Sequence, residues 1–119
     1  MGFEIKYENV KFEILFIYGE QASKDELAGL MDEYEPTEFS TNIIEFISQH
    51  DTVSDLILDG QPYTSRTEKY EAHAQFEVNI NIDEIRFTEN ISLQKFVKKI
   101  IGDIVEQREY MKANITVHD

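Results

Sequence analysis

The sequence has no cysteine, no tryptophan, two prolines and five glycines in 119 residues. The absence of cysteine excludes a disulfide scaffold, a thiolate zinc site and a cysteine nucleophile, and it favours a reducing compartment. No glycine-rich phosphate loop or dinucleotide fingerprint is present. The length fits a single domain over residues 1–119, and a hydrophobic content of 41% is enough for an ordinary buried core.

Long apolar runs are also lacking. No stretch approaches the roughly 20 apolar residues of a membrane span. Residues 1–6 lack the basic region and apolar stretch of a secretory signal. We therefore expect a cytoplasmic protein that does not use a membrane as a partner.

Basic residues are scarce, because 11 Lys and Arg stand against 24 Asp and Glu and give a formal net charge of −13. Solubility of a small domain needs a charge of magnitude only roughly 2–8. The excess disfavours direct binding of nucleic acid and favours a basic partner. The charge is also uneven, since residues 20–60 hold eleven acids and one lysine and carry −10.

This acidic segment is the candidate partner-binding surface. If Asp51, Asp55 and Asp59 lay on a helix, their spacing of four would align them as one carboxylate stripe. The alternative interpretation is an acidic face that serves only solvation. The candidate partner-binding residues are Asp25, Asp32, Glu33, Glu35, Glu38, Glu45, Asp51, Asp55 and Asp59.

Apolar and polar residues alternate in two long segments, the pattern of strands with one buried face. The first covers residues 3–18, with a bend or break at Asn9, and the second covers about 68–87. We expect the two strands to be neighbours in an antiparallel sheet. Residues 51–66 fit either a helix extension or a short strand, and Asp59-Gly60 predicts a turn, with a hairpin if strands flank it.

Helical spacing appears in three places. A capping box at Ser23 begins a helix that should stop before Pro36, and a second helix should begin at Thr37 or Ser40. The apolar face of that second helix should contain Phe39, Ile43, Phe46, Ile47 and His50. Ser92 should cap a last helix that packs through Val97, Ile100, Ile104 and Met111. Residues 115–119 fit an edge strand or a frayed end. The predicted fold class is α+β, with an antiparallel sheet of about three to five strands and helices packed on one face.

Catalytic patterns are missing. His50, His73 and His118 stand in no recognisable catalytic motif. Glu77, Asn79, Asn81 and Asp83 share a polar strand segment that could hold a cation with help from a second strand, although an ordinary polar sheet face explains them better. We expect no enzymatic activity, no cofactor and no metal.

Two functional hypotheses are favoured over a third, in which the chain is a small enzyme or ligand-binding domain with an unrecognised site. In the first, the protein binds a basic protein, such as a nuclease or nucleic-acid-binding protein, and inhibits it by mimicking nucleic-acid charge, as phage anti-defence proteins and immunity proteins of similar composition do. In the second, it is a phage or bacterial accessory module that self-associates, for example as a homodimer formed by sheet extension.

Overall fold

The computed structural model describes residues 4–18, 34–69, 74–107 and 111–118. These residues form five strands and two helices. The expected α+β class, with an antiparallel sheet and helices on one face, is confirmed. In chain order the elements are β1 (Ile5–Tyr18), α1 (Tyr34–Gln49), β2 (Val53–Leu58), β3 (Tyr63–Lys69), β4 (Ala74–Phe87), α2 (Leu93–Glu106) and β5 (Met111–His118).

The strand order across the sheet is β2-β4-β1-β5, and β3 also pairs with β4. β2 lies along residues 82–87 of β4 and β3 along residues 74–79, so β2 and β3 follow one another on the same edge. Counted as one interrupted strand, they give the order βαββαβ, the split βαβ arrangement. β1 and β4 pair over their whole lengths, which confirms the predicted neighbours.

Asn9 is a change of face within one continuous strand. Its φ of 55° places it in the left-handed region, which Asn tolerates better than most residues. Tyr7 turns towards the core before this point, whereas Val10 and each second residue after it do so beyond it. β4 makes the matching switch between Ile82 and Ile85, because the two strands keep a constant register.

The core lies between one face of the sheet and the two helices. Phe16 of β1 is fully buried, and its ring centroid lies 4.9 Å from that of Phe39 in α1 and 5.1 Å from that of Phe76 in β4. Phe96 of α2 packs edge-on against Phe87, with centroids 4.9 Å apart. Each fully buried aromatic or aliphatic side chain contributes roughly 1.5–3 kcal/mol of transfer free energy.

The predicted bounds of the middle helix were wrong at its start. α1 begins at Tyr34 and contains Pro36 in its first turn, where a missing N–H removes no helical hydrogen bond. Phe39, Ile43 and Ile47 form the buried face as expected, but Phe46 is 42% exposed. The helix predicted from Ser23 lies outside the described residues.

The predicted hairpin at Asp59-Gly60 was also wrong. Strands do flank the turn, but both pair with β4 and not with each other. The Asp59 N–H donates to the Asn81 carbonyl at 2.9 Å and holds the junction against β4. Gly60, with φ 77°, makes the connection in a conformation that glycine adopts without strain.

The end of the last helix differs from the prediction as well. α2 starts after Ser92, but the Ser92 side chain makes no capping hydrogen bond, and the helix ends at Glu106. Met111 therefore lies in β5 and enters the core from the sheet. The tail is an edge strand, longer than predicted, that pairs with β1 from Met111 to His118.

Candidate functional site

The acidic candidates occupy one side of the molecule. We define the acidic side as the five described residues Glu38 and Glu45 of α1, Asp51 of the following turn, Asp55 of β2 and Asp59 after β2. All five are exposed. α1 packs against β2 and β3 as well as β4, and this packing brings the helix to the edge on which β2 and β3 lie. Glu35 belongs to α1 but its side chain lies outside the described part, as do Asp25, Asp32 and Glu33 altogether.

The aspartates are spaced more widely than the helical interpretation predicted. Asp55 lies in a strand and Asp51 and Asp59 at its two ends, so no helical stripe forms. Four residues of extended chain span about 13 Å, against about 6 Å on a helix. The carboxylates are thus distributed along the edge of the sheet, and their mutual repulsion is weaker than on a helix.

Charge on the acidic side is not neutralised by ion pairs among the side chains that the structure describes. Residues 34–62 contain six acids and neither Lys nor Arg. None of the five carboxylates takes part in an ion pair within the described residues. Asp55 accepts a hydrogen bond from the Leu56 amide at 3.0 Å and lies beside Glu84. The opposite strand does supply Arg86, but its guanidinium is engaged elsewhere.

Arg86 is held by two other carboxylates. Its Nη1 lies 2.6 Å from Oε1 of Glu4, and its Nε lies 2.9 Å from Oε2 of Glu84. The hydrogen bonds to Glu84 and then Glu4 raise the pKa of Arg86, and Arg86 lowers the pKa of Glu84. Because both acids lie outside the acidic side, the arginine leaves the charge of that side uncompensated.

Exposed apolar side chains lie on the same elements. The large hydrophobic residues that stand out from the described surface are Phe46 of α1, Ile57 of β2 and Tyr63 of β3, at 42%, 46% and 46% exposure. Sequence reasoning did not select Ile57, and it placed Phe46 on the buried face of the helix. Phe46 follows Phe39 by seven residues, two helical turns, so its spacing gave no sign of exposure. Apolar anchors within a charged rim are the usual anatomy of a protein interface.

The sheet face opposite the helices has a different character. Lys11 Nζ lies 3.2 Å from Oε1 of Glu13, and His118 Nε2 lies 3.3 Å from Oε2 of the same carboxylate. Lys11 first, and then His118, lower the pKa of Glu13. The ion pairs described on this face therefore combine both signs of charge.

The polar segment of β4 lies on or beside this face. Asn79 is 1% exposed, opposite Glu13 of β1 and Tyr63 of β3, and its Nδ2 has no hydrogen-bond partner. Asp83, by contrast, falls where β4 changes face and is exposed. In the part of the chain that the structure describes, no three His, Asp or Glu side chains gather closely enough to hold a metal ion.

The side formed by α2 and β5 is mildly basic. These two elements carry four lysines, Lys95, Lys98, Lys99 and Lys112, against two acids, Asp103 and Glu106. All six residues are exposed. The molecule is therefore electrically polar, with its acidic and basic sides at opposite edges of the sheet.

No family model and no curated protein matches this sequence. Among solved structures, the chain is similar to the de novo designed protein Foldit4, with a TM-score of 0.41 and 14% identity over 94% of this chain and 98% of that one. It is also similar to a putative aminohydrolase from methicillin-resistant Staphylococcus aureus, with a TM-score of 0.45 and 9% identity over 93% of this chain but 30% of that one. Neither likeness bears on function at these TM-scores.

Neither α1 nor α2, the helices in the described ranges, is both long enough and apolar enough to cross a membrane.

Proposed function

We propose that the protein is a non-catalytic binding protein whose acidic side docks on a basic protein partner. The observation that carries the proposal is that exposed carboxylates, none of them ion-paired within the described residues, lie on the same helix and sheet edge as the exposed apolar side chains. The carboxylates would speed encounter with a basic surface, because none of them is held in an ion pair within the described residues. The apolar residues would supply contact area once the partner is seated.

The carboxylates and the apolar residues are expected to contribute differently to the rate and the free energy of binding. Exposed ion pairs contribute roughly 0.2–1 kcal/mol each, so the carboxylates chiefly set the rate of association and its dependence on salt. A buried aromatic anchor at an interface contributes about 2 kcal/mol or more. Phe46 is the aromatic candidate on α1. It is exposed and follows Glu45 of the acidic side directly in sequence.

A finer form of the proposal is that the partner is a nuclease or nucleic-acid-binding protein and that the acidic side occupies its nucleic-acid groove. Basic grooves of such proteins neutralise phosphates with clustered Lys and Arg. An array of carboxylates supported by a rigid sheet edge can meet the same cations. Competition by nucleic acid distinguishes this form from docking elsewhere on a basic protein.

The test uses the full chain as bait in nuclease-treated cell lysate at about 0.1 M and 0.5 M salt, since the Debye length falls from roughly 10 Å to a few ångströms over that range. The double variant Glu45→Gln/Asp51→Asn removes two charges from the acidic side. The matched control Glu8→Gln/Asp83→Asn makes the same chemical changes at exposed positions outside it and outside α2 and β5. A basic protein should be retained by the wild type and the control, and retained at least several-fold less by the Glu45/Asp51 variant and at high salt.

Equal retention by all three proteins, or retention that 0.5 M salt leaves intact, would contradict the proposal. With the retained protein purified, duplex DNA is added as competitor. Release by DNA supports nucleic-acid mimicry. A ternary complex with DNA would instead mean that the acidic side docks on the basic protein away from its nucleic-acid groove.

A further inference from the structure

The β5 edge of the sheet lacks the usual devices that prevent strand addition. β5 keeps an uninterrupted register with β1 over eight residues, with neither a bulge nor a proline. Its single Lys or Arg is Lys112, near one end. In the described part of the chain β5 pairs only with β1, so alternate N–H and C=O groups point away from the sheet. Natural edges are normally protected by charge, bulges or proline, because free backbone groups invite another strand.

A groove runs beside this edge on the helix side. It encloses about 480 Å³ between α2 and β5. Ile101 is buried at its floor, whereas Val105 and Ile115, which line it, are only partly covered. Ile115 belongs to the core-facing side of β5 but lacks the full cover that its neighbours on β1 have. An incoming strand would therefore find both backbone hydrogen bonds and an apolar surface.

Gly102 lines the same groove, and the described residues give no reason for a glycine there. It lies in the interior of α2, where glycine is less favourable than alanine. A Cβ built on it meets no atom within 4 Å, and its φ is not positive. Neither its backbone conformation nor its packing against the described residues requires glycine here. A helix that approaches closely from outside would require it, because a side chain would hold the two backbones apart.

We propose that β5 and α2 form a two-fold interface with a second copy of this chain. Antiparallel pairing of β5 with its copy requires a two-fold axis perpendicular to the sheet, which makes one continuous sheet with all helices on the same side. The register must place groove-facing residues opposite one another, as pairing of Ile115 with its copy does. Since Ile101, Gly102 and Ile115 line one groove, the axis then passes near Gly102.

Charge along α2 favours this occupant. The two-fold axis makes the two α2 helices antiparallel, so residues equally far from Gly102 on either side meet across it. Lys98 and Glu106 are each four residues from Gly102, and both are exposed. The lysines of α2 lie before Gly102 and its acids after it, at Asp103 and Glu106. Each helix therefore presents a basic half to the acidic half of its copy.

The experiment is sedimentation equilibrium of the full chain from about 1 to 300 µM, where a dimer has twice the 13.9 kDa of the monomer. The wild type should dimerise within this range. Gly102→Leu should raise the dimer dissociation constant about tenfold or more, because a leucine side chain at the axis would force the two helices apart. Circular dichroism of Gly102→Leu at low concentration should remain that of a folded protein, because leucine is a better helix former than glycine.

Charge exchange tests the orientation. Lys98→Glu and Glu106→Lys should each weaken the dimer several-fold, and the double variant should restore it. Glu45→Gln/Asp51→Asn, on the acidic side, should leave the dimer unchanged, so this inference and the proposed function can fail separately. A monomer at every concentration, an assembly that grows beyond a dimer, or a dimer indifferent to Gly102→Leu would overturn the proposal, as would a double charge variant no better than the single ones.

Discussion

The two edges of this sheet differ in the regularity of their strand pairing and in the side chains they expose. The β2–β3 edge is interrupted, with register shifts between Val53 and Asp55, between Ile57 and Leu58 and again in β3 between Thr64 and Arg66. It also carries carboxylates and exposed apolar side chains. The β5 edge is regular, short of charge and bordered by a groove. An interrupted edge resists strand addition and must be recognised through side chains, whereas a regular edge offers its backbone.

Both edges depend on one core, and its disruption should have the largest effect. Phe16→Ala removes a fully buried ring that contacts Phe39 and Phe76. It should lower the free energy of unfolding by about 3–5 kcal/mol, measured by urea denaturation. Phe46→Ala is the matched control, because Phe46 is 42% exposed and loss of its ring should cost only about 1 kcal/mol. Similar losses in the two variants would contradict the assignment of Phe46 to the surface.

The glycines beside the two edges should respond to alanine in opposite directions. Gly60→Ala should destabilise the chain by about 1–2 kcal/mol, because φ 77° is unfavourable for a residue with a Cβ. Gly102→Ala should stabilise the monomer by roughly 0.5–1 kcal/mol, because it replaces a helical glycine in open space. Thermal unfolding at low protein concentration measures both. A destabilised Gly102→Ala monomer would mean that the glycine has a role within the chain after all.

Low pH should reduce the stability contributed by the Glu84–Arg86 ion pair of β4 but hardly affect the β5 edge. The pKa of Glu84 is lowered by Arg86 in the folded protein, so the stability this pair contributes is fully present above the ordinary carboxyl range. It is lost as the pH falls through the lowered folded pKa of Glu84. Arg86→Gln should therefore lower the melting temperature slightly at pH 7, with the difference from wild type shrinking towards pH 3.

Lys112→Gln, on β5, provides the comparison. Lys112 makes no ion pair with the described residues, so its removal should produce a difference that hardly changes with pH. If the difference in melting temperature between Arg86→Gln and the wild type were equally independent of pH, the ion pairs of Arg86 would contribute nothing measurable to stability.

The sequence predicted the parts of the fold that depend on local periodicity. Alternation in residues 3–18 and about 68–87 predicted β1 and β4, although the second prediction began too early, because Glu68 and Lys69 belong to β3. Helical spacing from Leu93 to Ile104 predicted α2. These patterns reflect which face of an element is buried, and burial dominates the energetics. The pairing of β1 with β4 followed because both were long strands with one polar face.

Features that depend on non-local packing were not predictable. The Asp59-Gly60 turn is locally compatible with a hairpin, and only the length of β4 explains why β2 and β3 both pair with it. Met111 continues the helical spacing of α2 by coincidence, but β1 offers it a strand partner. The acidic candidates were found from charge alone. Phe46, Ile57 and Gly102 can be recognised as interface candidates only from their exposure and position in the structure.

Hydrogen exchange followed by NMR at low and high protein concentration tests the contrast between the edges most directly. The account predicts that β5 amides pointing away from β1 become protected as concentration rises, while amides of β2 and β3 exchange at unchanged rates. Outward β5 amides that exchange equally fast at every concentration, or added protection that appears on β2 and β3 instead, would contradict it.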